Sequence, residues 1–578
     1  MSDYLLAIAI GPVQDFIAAA RRTRDLWYGS KLLSDVSKAV AEQLKEEGVE
    51  LIFPSAESLK KDSGDDNINI ANQIVALARN IDADKIQALA KKAKEAAHNY
   101  WHSQVKQAQD IAHEKNGDDL IDSEIWLHQR NDVLELYAAW VPLENDEKYT
   151  KQRERLMALL NARKHTRNFR PGQGFVGVRK SLLDGARESV LPKEKLTQNQ
   201  IEACYRLGIK VTSAHYCEPL DLTGVVKRAH GSKMGFPSVA RIAADSWIRK
   251  LEGLKTKEGQ YILEELCKEA EKIQKYLISR IDVIKHPHYR NFPFDGTLFY
   301  LDRYPSILIE ADEANNKTLE GFRQRLAELI HNDEPSPYLA IISADGDRMG
   351  EVLKNHAILE DHQAISRQLA AFSSQARQCV EKHFGACIYA GGDDVLALVP
   401  LNQALPCARA LHSVFDRALR DYCSSQNPAT LSVGIAVGHF MESLHDLREL
   451  AKEAEHCAKG DERNGLSIIF QPRGGNRYVW RESWSRSPDQ HLQDWIGAFD
   501  SKALPSTLPY DLARLLDVYE HFQEPLVEDA RRLPKVKATN HAKLLDRINK
   551  CSTKESMQQL IDELLLASRL ANLLSGGE

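Results

Sequence analysis

The sequence predicts an α+β protein with two domains that each pack helices on an antiparallel sheet, and with helical segments between and after them. Two stretches carry most of this prediction, residues 343–350 (Ser-Ala-Asp-Gly-Asp-Arg-Met-Gly) and residues 388–398 (Ile-Tyr-Ala-Gly-Gly-Asp-Asp-Val-Leu-Ala-Leu). Both lie beside apolar residues typical of buried strands. The third observation is an apolar strand near the amino terminus, followed by a long helical pattern.

The first stretch follows the apolar run 338–342, so it reads as a strand that delivers Asp345 and Asp347 to its tip. The second stretch has apolar residues on both sides of 391–394, which indicates two short strands joined by a tight turn. Either turn alone is usually only a structural feature. Two such turns about fifty residues apart favour a functional site instead.

If these strands are neighbours, three or four carboxylates converge at one end of a sheet. Such a cluster is costly unless a hard cation neutralises it, and Mg²⁺ or Mn²⁺ prefers oxygen ligands. Two-metal phosphoryl and nucleotidyl transfer uses this arrangement.

The elements after the hairpin complete a domain. Residues 402–425 read as a helix, 431–438 as a buried strand, and a further helix runs from Leu444 to about Lys459. The order strand, helix, hairpin, helix, strand, helix predicts a four-stranded antiparallel sheet with helices on one face.

The amino-terminal part has a similar order. Residues 4–10 form a strand that Gly11-Pro12 breaks, and a helix is predicted from about 13 to 47. Its polar side carries Arg21, Arg22 and Arg24, which form a solvated face more often than a phosphate site. The remaining predicted elements are strands at 50–54 and 68–75, helical sequence at 82–115, and a last strand at 132–141.

These motifs resemble a known family. The chain is similar to the palm of GGDEF-type cyclases and, more closely, to the large polymerase subunit of type III CRISPR effector complexes of the Cmr type. Gly391-Gly392-Asp393-Asp394 matches that family's palm hairpin, and Asp345 matches an aspartate on its first palm strand. Residues 10–17 and 20–30 independently resemble the start of the family's first palm.

The resemblance implies two ferredoxin-like palm domains plus helical linking and C-terminal domains. The expected boundaries are 1–144 for the first palm with a helical insertion, 145–290 for a mostly helical linking domain, 291–482 for the second palm with the GGDD motif, and 483–578 for a C-terminal helical bundle. That bundle is either a plain packing domain or, as in the family, a contact for small helical subunits and guide RNA. The basic run at 163–170 is likewise either solvated surface or an RNA contact.

Two features of the family are not expected here. Many members carry a four-cysteine zinc site in the linking domain, but only Cys204 and Cys217, with His215, are available, so no zinc is expected. Many members also begin with an HD nuclease domain. Because the first palm starts at residue 4, we expect no such domain and no DNA cleavage by this chain.

The resemblance also assigns site residues. Asp345, Asp393 and Asp394 are the expected catalytic residues, and they hold two ions of Mg²⁺ or Mn²⁺, with Asp347 as a less certain metal ligand. The expected nucleotide-binding residues are Ser343, Gly346, Gly391, Gly392, Lys459, Gln14 and Arg21. For Lys459, an ordinary surface lysine is an equally good interpretation.

The implied function is nucleotidyl transfer on ATP in an antiviral complex. The products expected from the family are cyclic oligoadenylates and pyrophosphate, with activity gated by target RNA. The expected partners are other Cmr-type subunits, guide CRISPR RNA and target RNA. Two alternatives stay open: transfer of AMP to another acceptor such as S-adenosylmethionine, and a scaffold whose palm is inactive.

Composition agrees with a soluble multidomain protein. The 578 residues are too many for one core, and a net charge of −6 gives no global nucleic-acid signature. Nine scattered cysteines predict reduced thiols in the cytoplasm rather than a disulfide framework. No apolar run approaches a membrane span, and the start lacks the layout of a signal peptide.

Overall fold

The computed structural model describes most of the chain. The described residues are 2–59, 70–114, 120–143, 149–166, 174–231, 235–253, 257–273, 278–310, 313–330, 334–356, 358–423, 428–537 and 542–575. Parts of four predicted features lie outside these ranges: residues 68 and 69 of a strand, 115 of the helical sequence at 82–115, 167–170 of the basic run, and 424 and 425 of the helix at 402–425.

The first palm is a four-stranded antiparallel sheet in the order β2-β3-β1-β4. Its strands are β1 (Ser2–Gly11), β2 (Glu50–Phe53), β3 (Gln73–Ile81) and β4 (Glu135–Leu143). Strand β1 is central and buried on both faces, which explains its continuous apolar sequence. The predicted strands are confirmed, although β3 lies further along the chain than 68–75.

Helices cover both faces of this sheet. They are α1 (Gln14–Ala18), α2 (Thr23–Glu46), α3 (Ala83–His113), α4 (Ser123–Arg130) and α5 (Tyr149–His165). Helices α2 and α3 pack on the face that carries Leu6, Ile8 and Ile10. Helix α5 packs through Leu156 and Leu160 on the opposite face.

The helix predicted from 13 to 47 is interrupted between α1 and α2. The sequence there contains no breaker, so contacts with the linking region explain the interruption. Lys227 donates hydrogen bonds to the carbonyls of Phe16 and Ala19, at 2.8 Å for Ala19, and these carbonyls then need no helical partner.

Contacts with the linking region also correct the prediction that the arginines at 21, 22 and 24 form a solvated face. Arg22 pairs with Glu218 at 3.2 Å, and both Arg22 and Arg24 donate to the carbonyl of Gly208. Arg21 alone is exposed.

The linking region is mostly helical, as predicted, but its bounds differ from 145–290, because α5 packs on the first palm and the helices between the two sheets continue to residue 330. Its helices are α6 (Gln198–Arg206), α7 (Leu222–Gly231), α8 (Val239–Ala243), α9 (Asp245–Gly253), α10 (Lys257–Lys272), α11 (Tyr304–Glu310) and α12 (Glu313–Ile330). Aromatic residues such as Phe292 and Phe299, whose ring centroids are 4.4 Å apart, form part of its core. Apolar residues of both palms join this core, so the linking region packs against each of them.

The second palm is a six-stranded sheet in the order β10-β9-β8-β5-β7-β6. The strands are β5 (Tyr338–Gly346), β6 (Ala386–Gly391), β7 (Asp394–Pro400), β8 (Leu431–His439), β9 (Gly465–Phe470) and β10 (Tyr478–Ser483). The sheet therefore has two strands more than the four predicted, because β9 pairs in parallel with β8 and β10 pairs with β9. The inner four strands, β8-β5-β7-β6, are antiparallel and repeat the order of the first palm.

Helices α13 (Met349–Asn355), α14 (Leu359–Lys382), α15 (Ala404–Leu419) and α16 (Leu444–Lys459) belong to the second palm. Helices α14 and α15 cover one face, but the prediction that all the helices of this domain lie on one face is wrong. Helix α16 lies on the opposite face through Leu444, Leu447 and Ala451. Its place on the sheet corresponds to that of α5 in the first palm.

The C-terminal helices are α17 (Pro488–Asp500), α18 (Leu508–Val518), α19 (Glu524–Lys537), α20 (Ala542–Lys550) and α21 (Lys554–Leu574). They share one apolar core with the second palm.

The two palms also contact each other directly. Gln363 of α14 donates to Glu50 of β2 at 2.9 Å, and Lys452 of α16 donates to Gln14 of α1 at 3.3 Å. In the ranges described above, no helix combines the length and apolar character needed to cross a membrane.

Candidate active site

The predicted convergence of aspartates at the end of the second sheet is confirmed. Strand β5 pairs with β7 through Ala344 and Val395, so the next residues along the ladder, Asp345 and Asp394, lie opposite each other. Gly391 pairs with Asp394, which leaves Gly392 and Asp393 as a two-residue hairpin loop. Gly392 has φ +65°, the positive value that a type II′ turn requires at its first loop residue.

Asp393 reaches the tip of β5 by close contact with Gly346. A Cβ atom at position 346 would lie 2.7 Å from the Cβ of Asp393 and 2.9 Å from its Oδ2. Any side chain at 346 would therefore push the hairpin away. Gly346 therefore allows the hairpin that carries Asp393 to lie close to the end of β5.

The electrostatics of the three aspartates are unfavourable without a cation. Burial raises the pKa of Asp394 well above its ordinary value, and a hydrogen bond to Asp345 and the charges of Asp393, Asp345 and Glu455 add to this. Burial and the charge of Asp345 also raise the pKa of Asp393. Asp393 and Asp394 hold protons more tightly than solvated aspartates, first because they are desolvated and second because the neighbouring carboxylates repel their charge.

Lys459 lies inside the cluster rather than on the plain surface. Its Nζ is 2.8 Å from Asp345 Oδ2 and 2.9 Å from Glu455 Oε1. Although burial opposes its charge, the hydrogen bonds to Asp345 and Glu455 raise the pKa of Lys459. The ammonium group is therefore a fixed positive charge at the end of α16.

Ser343 lies behind this ion pair. Its hydroxyl donates to Glu455 Oε2 at 2.6 Å, and little of its surface is exposed. The hydroxyl therefore anchors Glu455. Sequence reasoning missed Glu455, although its spacing of four residues from Lys459 on one helix was a readable signal.

Asp347 does not join the other aspartates, which corrects its assignment as a possible metal ligand. It is fully buried, and its carboxylate accepts hydrogen bonds from Thr430 Oγ1 at 2.7 Å, Ser432 Oγ at 2.8 Å and Asn464 N at 3.0 Å. These three donors belong to the start of β8 and the turn before β9. Asp347 therefore fixes neighbouring strands and has no free oxygen facing the cluster.

The hairpin glycines differ in their surroundings. No heavy atom lies within 4 Å of a Cβ built on Gly392, so a ligand can approach its backbone closely. Gly391 instead faces its neighbour Tyr389, whose hydroxyl donates to the Gly391 carbonyl at 3.2 Å.

On the first palm, Gln14 lines a cavity of about 550 Å³ at the end of β1. The lining residues are Ala9, Ile10, Gly11, Val13, Gln14, Asn72, Glu135, Tyr137, Lys164 and His165. Arg21 is not among them. Lys164 and His165, which belong to the basic run seen in the sequence, come from the end of α5, just as Lys459 comes from the end of α16.

The donor set of the second palm fits a hard cation, because carboxylate oxygens from two strands face a common space. As the side chains stand, no group of three or more His, Cys, Asp or Glu residues is arranged around a metal position anywhere in the described residues. At Asp345, one carboxylate oxygen, Oδ2, is occupied by the ammonium group of Lys459.

Comparisons with known proteins agree with this geometry. Residues 338–467 match the family model of the Cas10/Cmr2 second palm domain. Residues 5–106 match the model of the Cmr2 N-terminal region. The two matches lie on the two ferredoxin-like palms described above. Residues 338–467 are therefore similar to the second palm domain of Cas10/Cmr2, and residues 5–106 to the N-terminal region of Cmr2.

A curated relative supports the assignment. The chain is 26% identical to the CRISPR system Cmr subunit Cmr2 of Pyrococcus furiosus, over 83% of this chain. The match spans 63% of that relative's length.

Two solved structures share the fold. The type III-B Cmr-beta apo structure has a chain with TM-score 0.65 and 14% identity, covering 93% of this chain and 77% of that one. The type III-B Cmr-beta structure bound to cognate target RNA has a chain with TM-score 0.64 and 15% identity. That match covers 94% of this chain and 79% of the other.

Proposed function

We propose that this chain is the nucleotidyltransferase subunit of a type III Cmr complex and that it converts ATP to cyclic oligoadenylates with release of pyrophosphate. The observation that carries the proposal is the convergence of Asp345, Asp393 and Asp394, with Lys459, at one end of the second palm. A scaffold has no use for three carboxylates and a lysine brought together at one strand tip.

Asp345 and Asp394 are the residues that would hold divalent ions, and Asp393 would complete the acidic set. Bound divalent ions would neutralise the triphosphate and favour attack on its α-phosphate. The chain itself contributes position and charge. The open space beside the Gly392 backbone would admit the phosphates, and the Lys459 ammonium would bind them.

The first palm supplies an acceptor site in this proposal. Its cavity has a cationic end at Lys164 and His165 but only one carboxylate, that of Glu135, among its lining residues. It therefore suits binding of a second nucleotide rather than a metal-assisted step. The contact between Lys452 and Gln14 links the two palms beside this cavity.

In the reaction, a ribose hydroxyl of one nucleotide attacks the α-phosphate of the other. An oxygen–phosphorus bond forms, the bond to pyrophosphate breaks, and the hydroxyl proton leaves to solvent. Repetition and ring closure give cyclic oligoadenylates.

RNA gating is part of the proposal. A Cmr-beta complex with the same fold has been solved with cognate target RNA bound, which supports target RNA, guide RNA and other Cmr subunits as partners of this chain.

The test is an ATP assay with the assembled complex, with and without target RNA, read by pyrophosphate release and by mass spectrometry of the product. We expect pyrophosphate only with target RNA, and product masses equal to multiples of an adenylate unit. A product in which one adenylate is joined to S-adenosylmethionine would mean that S-adenosylmethionine, and not a second nucleotide, is the acceptor. No pyrophosphate under any condition would leave only the scaffold interpretation.

A further inference from the structure

Four side chains form a continuous polar chain across the face of the second palm. Ser343 donates to Glu455 at 2.6 Å, Glu455 accepts from Lys459 at 2.9 Å, and Lys459 reaches Asp345 at 2.8 Å. The family comparison and the sequence motifs give no role to Glu455. Its two oxygens hold a buried hydroxyl on one side and the site's cation on the other.

The backbone of Glu455 is fixed against the sheet. Gly434 of β8 faces it so closely that a Cβ at 434 would lie 2.0 Å from the backbone nitrogen of Glu455. The Ser343 hydroxyl then fixes the side chain. Glu455 is thus held at both its backbone and one carboxylate oxygen, whereas the Lys459 side chain is 24% exposed and is held only through its ammonium group.

The position of Lys459 conflicts with metal binding at Asp345. An ammonium on Oδ2 occupies an oxygen that a divalent ion needs, and the two cations also repel each other. When a cation of higher charge takes Asp345, Lys459 must leave that oxygen. Glu455 offers the ammonium its second partner and keeps it at the same end of the site.

We propose that Lys459 is a built-in counter-cation that exchanges with a divalent ion at Asp345, and that Glu455 is the positioning residue that retains Lys459 for the phosphates of the nucleotide. This inference rests on the proposed function, because it takes the second palm as a metal-dependent nucleotide site. It adds a competition between a lysine and a metal, and a role for a residue outside the GGDD motif.

The first experiment measures Mn²⁺ binding to the full chain by electron paramagnetic resonance without ATP. Lys459→Met should bind Mn²⁺ roughly tenfold more tightly than wild type, because its competitor is gone. In an Asp345→Asn background the same substitution should change Mn²⁺ affinity less than about twofold, since no shared ligand remains.

Arg463→Met is the control for general electrostatics. Arg463 is a nearby cation, but it lies 3.7 Å from Asp347 rather than on Asp345. We expect it to tighten Mn²⁺ binding much less than Lys459→Met does. The proposed exchange would be rejected if Arg463→Met tightened Mn²⁺ binding as much as Lys459→Met does. It would also be rejected if Lys459→Met had the same effect in the wild-type and Asp345→Asn backgrounds.

The second experiment tests Glu455 with a non-hydrolysable ATP analogue and Mn²⁺. Glu455→Gln, which keeps the shape of the side chain, should weaken analogue binding about as much as Lys459→Met, by roughly tenfold, and the double variant should be no weaker. Glu453→Gln, two residues away on α16 and paired with Arg477, should leave binding unchanged. Unchanged binding by Glu455→Gln would reject its positioning role.

The outcomes separate the two proposals. If wild-type protein binds neither Mn²⁺ nor the analogue, the proposed function fails and this inference fails with it. If it binds both while Lys459→Met does not tighten Mn²⁺ binding, only the exchange is wrong. Melting temperatures of all variants identify any that fail to fold, and Lys459→Gln then replaces Lys459→Met.

Discussion

Single residues of the acidic cluster depend on one another for their charge state. Desolvation and the neighbouring charge of Asp345 raise the pKa of Asp393 and of Asp394, and Lys459 offsets part of the negative charge. The local sequence predicted these three aspartates because each lies at a strand tip or in a tight turn.

Residues that act across the sheet were harder to predict. Asp347 follows the same strand as Asp345, yet its partners Thr430, Ser432 and Asn464 are 83, 85 and 117 residues away along the chain. Glu455 enters the site only because α16 crosses the sheet next to Gly434. The four-residue spacing indicates only that Glu455 can pair with Lys459, and no local pattern shows which strands Asp347 and Glu455 contact.

Lys227 gives a pH prediction for a single residue. Burial lowers its pKa to about 8 from the ordinary value of 10.5, against the opposing charges of Asp221 and Asp25. Between these two values the unfolded chain binds more protons than the folded one, so folding stability gains with rising pH, by up to about 1.4 kcal/mol per unit.

The measurement compares melting temperatures of wild type and Lys227→Met at pH 7.5 and 9.5. We expect the difference between them to move in favour of wild type at the higher pH. A difference that stays constant or moves the other way would contradict the assignment.

At the scale of elements, the packing of α16 on β8 decides where Glu455 and Lys459 lie. Gly434→Ala should destabilise the protein by about 3 kcal/mol or more, because its Cβ would collide with the backbone of α16. Gly497→Ala in α17 meets nothing within 4 Å and should stabilise by about 0.5–1 kcal/mol. Denaturant unfolding checks both, and effects of the same sign would refute the packing argument.

Elements with strong periodicity matched their predictions closely. Helix α16 was expected from Leu444 to about Lys459 and is found there. The interruption between α1 and α2 and the addition of β9 and β10 were not foreseen. Both come from partners elsewhere in the chain, Lys227 in the first case and the edge of β8 in the second.

At the scale of the whole molecule, buried charges join the first palm to the linking region. Arg228 and Asp25 are almost completely buried and lie 3.1 Å apart, and Arg228 also reaches Glu218. A charge left without its partner in such a place is strongly destabilising.

Asp25→Asn or Arg228→Met alone should therefore destabilise the protein by about 3–5 kcal/mol. The pair Asp25→Leu with Arg228→Met should recover most of this loss, because no unpaired charge remains in the pair and Glu218 keeps Arg22. Denaturant unfolding provides the comparison. Additive losses in the double variant would contradict this account.

The central claim is that the aspartates at the tip of the second palm perform the chemistry. The most direct test is the rate of pyrophosphate release from ATP by the complex bound to target RNA, with Asp394→Asn compared with Asp416→Asn. Asp416 is an exposed carboxylate on α15 paired with Arg420. We expect Asp394→Asn to lose at least roughly a hundredfold in rate while Asp416→Asn stays near wild type. A wild-type rate for Asp394→Asn would contradict the claim.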